Sequence, residues 1–303
     1  MRCFYSANLE LPLPVGHPFP AGKFQQTKDM LLDDGILRPE EIIAVPAPDP
    51  LLLRMAHEAG YIERVASGAL DRREQLLLGL PHSPGLFARA AAEVEATRQA
   101  CHAALAEGVA VSLAGGNHRA FRDHGEGFSV FNDVAVAVRD LQLRHPNIRI
   151  MVVDTDARSA DGTHALLAGD PRVFTYSIHA RNPGAAAVAG SLDVETARYV
   201  EGEMYLRQLF LTLADALDSF APDLVIWVSG VDNHHHDLVG RMNLTHDDLA
   251  RRDEVLLGAL LRNRVPVAVL FGGGFNRQTE VTAQLHRNTV ATAKRLAAAC
   301  RGL

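Results

Sequence analysis

Two carboxylates at positions i and i+2, set where a buried strand meets solvent, can present oxygen ligands to a cation. Asp154 and Asp156 stand in that relation at the end of the apolar run 148–153. The next alternate position, where an imidazole would complete a metal-binding set, holds Arg158. A guanidinium donates only, stays protonated at ordinary pH and cannot coordinate a metal. Asp161 follows three residues on. Elsewhere Gly115-Gly116 leads into His118 and Arg119, and Asp232 is followed by His234-His235-His236. Gly272-Gly273-Gly274 precedes Phe275 and lacks the Lys-Ser/Thr of a phosphate loop, so it reads as backbone coming close to a pocket. Three consecutive histidines on a loop converge poorly on one ion and are not expected to hold a metal.

Strand-length apolar runs position these groups. They cover 109–114, 148–153, 173–178, 224–228 and 265–271, and they alternate with helical stretches at 86–105, 204–220, 247–263 and 280–301. The strands are apolar throughout and do not alternate, so both faces should be covered, which implies a parallel sheet. The expected fold is α/β: one domain over 1–303 with a central, mainly parallel sheet and helices on both faces. Chemistry in such folds gathers at the carboxyl ends of the strands, where all the residues named above fall. The first 80 residues are less regular, with seven prolines before residue 50, yet show no linker or repeat.

Apolar residues make up 48% of the chain and charged ones 22%, enough to build a sizeable core. The net charge of -6 gives no footprint for a nucleic-acid or membrane surface. Cys3, Cys101 and Cys300 lack disulfide or metal spacing and read as reduced thiols. No leader or long apolar run appears, so a cytoplasmic protein is expected.

Several motifs in order resemble the histone deacetylases, within the arginase–deacetylase superfamily, and in particular their class IV and bacterial class IV-like branch. They are His17-Pro18-Phe19-Pro20-Ala21-Gly22-Lys23-Phe24, His57-Glu58-Ala59-Gly60-Tyr61-Ile62, the run from Phe121 to Asp133 and Gly240-Arg241-Met242-Asn243-Leu244-Thr245. The resemblance implies an arginase/deacetylase fold. It places Asp156 and Asp232 at two zinc-ligand positions, with Arg158 where the third ligand, a histidine, would be. It also places His118 and Arg119 at two catalytic histidines oriented by Asp154 and Asp161, and Phe275 at a catalytic tyrosine. Gly127, Phe128, Gly272, Gly273 and Gly274 would line the pocket. A structural potassium would be held by Asp154, Asp156, the Arg158 backbone, Ser177 and Ile178. The stretch 181–190 lacks an aromatic that often walls the acyl-lysine tunnel.

Each departure removes a separate catalytic contribution. Arg158 repels zinc, and with the metal goes the activated water. Arg119 cannot act as a base near neutrality, a role worth roughly 10²–10⁴-fold. Phe275 lacks an oxyanion donor typically worth about 10²–10³-fold. The expectation is therefore a pseudoenzyme without zinc, with Arg158 bridging Asp156 and Asp232, and Arg119 paired with Asp161. His118 would simply satisfy Asp154, and Asp237 and Arg241 would hold the loop after Asp232. Such a protein would bind an unidentified small ligand, anionic if the arginines stay free, or a protein partner, a second copy included. The competing reading is an active amidohydrolase with a relocated metal.

Overall fold

Each of the five apolar runs becomes a strand, and together they form the inside of one sheet. The computed structural model describes residues 1–6, 11–46, 48–181 and 190–301. In chain order the strands are β1 (Cys3–Tyr5), β2 (Ile42–Ala44), β3 (Val109–Ser112), β4 (Ile150–Asp154), β5 (Val173–Ala180), β6 (Ser191–Thr196), β7 (Leu224–Val228) and β8 (Val267–Leu270). They lie in the order β2-β1-β3-β8-β7-β4-β5-β6, and neighbouring strands pair in parallel throughout. The helices are α1 (Lys23–Asp33), α2 (Ala59–Ser67), α3 (Arg72–Leu78), α4 (Leu86–Glu107), α5 (Asp133–Arg144), α6 (Asp161–Leu167), α7 (Gly202–Phe220), α8 (His246–Arg262) and α9 (Thr279–Arg301).

The two-residue period of the strands divides their side chains between two cores. Ile150 and Val152 of β4 join Leu224, Ile226 and Val228 of β7 in one core, roofed by α4 and α5. Met151, Val153, Val225 and Trp227 face the other, closed by α7, α8 and α9. Full burial of each such side chain is worth roughly 1.5–3 kcal/mol, which is why these runs carry no polar alternation. Local signals set the helix ends. Thr245 Oγ1 accepts from Asp248 N at 3.2 Å while Asp248 accepts from Thr245 N at 2.9 Å, a reciprocal cap starting α8. The chain leaves α7 through Ala221 at φ 49°, with Pro222 next. No described helix is long and apolar enough to cross a membrane.

Because the strands run the same way, their exits share one edge. The loops leaving β3, β4, β7 and β8 meet there.

Candidate active site with a replaced metal ligand

At that edge, Asp154 ends β4 in register with Ser177 of β5 and Val228 of β7. Two glycine contacts set how closely the loops approach. A Cβ at Gly116, whose φ is +78°, would fall 2.8 Å from the Gly272 Cα. A Cβ at Gly273 would lie 2.3 Å from Asp156 Oδ1 and 2.8 Å from Asp232 Oδ2. Only glycine fits at either place. The loops enclose a cavity of about 60 Å³ lined by His118, Arg119, Gly127, Phe128, Asp156, Arg158, Asp232, Gly272, Gly273 and Phe275. Small-molecule pockets usually measure ~300 Å³ or more, so this one is small for an organic ligand. Asp154 and Asp161 stand behind the wall as partners, and Gly274 is reached through its carbonyl by Lys23 at 3.5 Å.

Two sequence-based pairings appear. His118 Nδ1 lies 2.6 Å from Asp154 Oδ2, both groups buried. Arg119 donates to Asp161 Oδ2 at 3.3 Å and to the Ser159 carbonyl at 3.2 Å, and it also pairs closely with Glu126. With two carboxylates on it, Arg119 is spoken for and is not a free anion receptor.

The bridge expected from Arg158 does not form. Among the described residues Arg158 makes no hydrogen bond or ion pair, and it lines both the central cavity and a neighbouring groove. The carboxylates it was expected to join have found backbone donors. Asp156 accepts from Gly273 N at 2.8 Å, and Asp232 accepts from Ala157 N at 2.8 Å. Burial pushes both carboxyls up, Asp232 the more strongly, with Asp154 repelling Asp156 and Asp156 repelling Asp232, which favours the protonated form and lessens the need for a countercharge. Burial, and then the Arg119 charge, pull the Arg158 guanidinium down from its ordinary value. The like charge of Arg119 thus disfavours a second guanidinium deep in the cavity.

Zinc, the metal implied by the resemblance, does not fit these residues. A tetrahedral zinc site needs lone pairs from nitrogen, sulfur or oxygen, and the third position here supplies a cation. Potassium fits better. Ser177 Oγ is fully buried, has no hydrogen-bond partner, and sits beside Asp154 in the sheet register. One further group, His118, Asp154 and Asp156, brings three potential ligand atoms within 4.8 Å of one another. His234, His235 and His236 do not converge on an ion. His234 Nε2 faces His246 Nδ1 at 3.1 Å, and His235 Nδ1 lies 3.0 Å from the Leu244 carbonyl. Asp237 holds its loop as expected, accepting from Phe275 N at 2.6 Å, Val239 N at 2.8 Å and Gly240 N at 3.0 Å. Arg241 does not share that task. Its side chain is exposed and lines the groove beside the cavity. The stretch expected to lack the tunnel aromatic falls largely on residues 182–189, outside the described residues.

Two functional residues escaped the sequence reading. Lys23, the first residue of α1, is buried, donates to the Gly272 carbonyl at 2.9 Å and lies 5.1 Å from the Phe24 ring and 5.3 Å from that of Phe275. Burial pulls its amine down to about 8, against the charges of Asp156 and Asp232. Both Lys23 and Glu126 lie inside motifs that the sequence displays. Nothing in their spacing says that one reaches across 249 residues, or that the other turns back onto Arg119.

The comparisons agree with this arrangement. The family model for the histone deacetylase domain matches residues 17–293. An uncharacterized protein of Picosynechococcus sp. is 36% identical over 272 residues, covering 89% of this chain and 91% of its own. The acetoin utilization protein AcuC of Staphylococcus aureus is 29% identical over 76% of this chain and 64% of its own. Among solved structures, the HDA15 HD domain superposes with a TM-score of 0.78 at 19% identity, covering 98% of this chain and 88% of that one. An HDAC homologue complexed with SAHA gives 0.77 at 19% identity, with the same coverage. The fold, the order of the loops and the matched span together show that this chain belongs to the histone deacetylase family.

Proposed function

We propose that this chain is a histone deacetylase-family pseudoenzyme, a single cytoplasmic domain that binds or scaffolds and does not hydrolyse acyl-lysine. The observation that carries the reading is Arg158. It occupies the third ligand position with a cation, beside two carboxylates that each accept from one backbone amide, Gly273 N and Ala157 N. Arg119, locked by Glu126 and Asp161, offers no base, and Phe275 offers no hydroxyl. Potassium would be held by Asp154, Asp156, the Arg158 backbone, Ser177 and Ile178. When bound it supplies positive charge that steadies the end of β4, and these residues hold Asp154 against His118. The working surface would take a small ligand or a protein partner, a second copy included.

A second reading rests on the group His118, Asp154 and Asp156, which would gather a displaced metal and restore hydrolysis by another route. Elemental analysis of protein purified in potassium buffer separates the two. The pseudoenzyme reading expects about one potassium and no stoichiometric zinc or iron, with no turnover across acyl-lysine chain lengths. Stoichiometric transition metal together with turnover would establish the second. The combined variant Arg158→His, Arg119→His, Phe275→Tyr is expected to gain zinc. Failure to gain it would mean that the pocket has drifted beyond these three positions.

A further inference from the structure

Next to the central cavity lies a second, larger one of about 430 Å³, within the usual ~300–1,000 Å³ range of small-molecule sites. It sits at the exits of β4, β5, β6 and β7, and four of its lining residues are arginines: Arg158, Arg181, Arg198 and Arg241. No acidic residue lines it among the described residues. The chain as a whole has more acids than bases, 36 against 30. None of the four side chains makes a hydrogen bond or ion pair with a described residue, and the segment 182–189 that follows Arg181 contains no acid.

Scattered surface arginines are ordinary, but these are gathered on a braced frame. Tyr199 N donates to the Arg241 carbonyl at 2.8 Å, and Asn243 N donates to the Val200 carbonyl at 3.2 Å. Ala180 N donates to the Ala157 carbonyl at 3.0 Å. Arg241 and Tyr199 both hold left-handed backbone, at φ 55° and 57°, which costs side-chain-bearing residues energy and is retained where neighbours enforce it. The loops carrying Arg158, Arg181, Arg198 and Arg241 are thus tied to one another. Four guanidinium forks around one cavity, none of them in an ion pair with a described residue, suit tetrahedral oxyanions that accept paired N–H donors.

We propose that this groove binds a small molecule carrying two or more clustered phosphoryl groups, with Arg158 contributing from the inner wall. The inference deepens the binding role above by naming a ligand class and a place outside the central cavity. It does not depend on the fate of zinc. Inorganic pyrophosphate is the probe, titrated calorimetrically into the full chain at low and high salt, with citrate as the carboxylate comparison. Saturable one-to-one binding is expected, weakened by added salt. The exposed pair Arg198→Gln, Arg241→Gln should weaken it about tenfold or more, and Arg158→Gln severalfold, on the scale of charge-assisted bonds. Arg251→Gln, which removes the same single charge as Arg158→Gln but lies on α8 outside the groove, should leave it unaltered. Absence of saturable binding would overturn the site, as would equal losses in the Arg251 control and the groove pair. Citrate binding as tightly as pyrophosphate would overturn the phosphoryl assignment. Because metal content and deacylase turnover are read separately, failure here leaves the pseudoenzyme reading standing, and the reverse also holds.

Discussion

Arg119 stands where the family resemblance puts a catalytic histidine, and here it is held in an ion-pair network. Its side chain is 6% exposed, while Glu126 is 27% and Asp161 25% exposed, so a buried cation is held by two half-sheltered carboxylates. Removing one partner leaves the guanidinium undercompensated. Glu126→Gln is therefore expected to cost about 1–3 kcal/mol in urea unfolding, reduced from fully buried values by the exposure of Glu126. In an Arg119→His background the same change should cost much less, since the coupling has gone. Strictly additive costs would mean that Glu126 acts elsewhere. At this scale the sequence was legible where partners sit in recognisable motifs, as with His118 and Asp154. It was not legible where a long side chain chooses among several directions. The Arg158 guanidinium is near enough to feel Asp156 and Asp232, yet the backbone amides of Gly273 and Ala157 reached the carboxylates first.

Among the elements, α8 does more than cover the sheet. Its Arg252, fully buried, donates to the Gly230 carbonyl at 2.7 Å, two residues before Asp232, and pairs with Asp253 at 2.8 Å. Thr289 of α9 donates to the same Asp253 at 2.5 Å. A helix on one face thereby fixes a loop at the strand edge. Arg252→Met should destabilise by about 3–5 kcal/mol, because Asp253 is left buried with a single hydroxyl partner. Adding Asp253→Asn should recover part of that loss in thermal unfolding, and no recovery would point to packing against Trp227 as the main contribution. The sequence displayed the long strands and helices because their apolar runs are continuous. It hid β1 and β2, whose three residues apiece are too short to show a pattern, and β6, whose residues are mostly half-exposed or exposed.

Across the whole molecule, Lys23 joins the start of α1 to the loop beyond β8, and its titration should be visible in global stability. The side chain leaves α1, donates to the Gly272 carbonyl beyond β8 and packs among phenyl rings. Burial lowers its folded pKa from 10.5 to about 8. Below pH 8 both folded and unfolded chains carry the proton, and burying the ammonium is a constant cost. Between about 8 and 10.5 the unfolded chain still binds the proton while the folded chain has released it. Stability should therefore rise with pH across that window, by about 1.4 kcal/mol per unit and at most about 3 kcal/mol in total. Lys23→Met removes the titrating group, so the stability difference, wild type minus variant, should grow from pH 7.5 to pH 10.5 in paired urea melts. Tyrosines that ionise near the top of the range are common to both proteins and cancel. Parallel curves would show that Asp156 and Asp232 hold the ammonium charged throughout, with the two carboxylates then sharing their countercharge with Lys23 rather than with a proton.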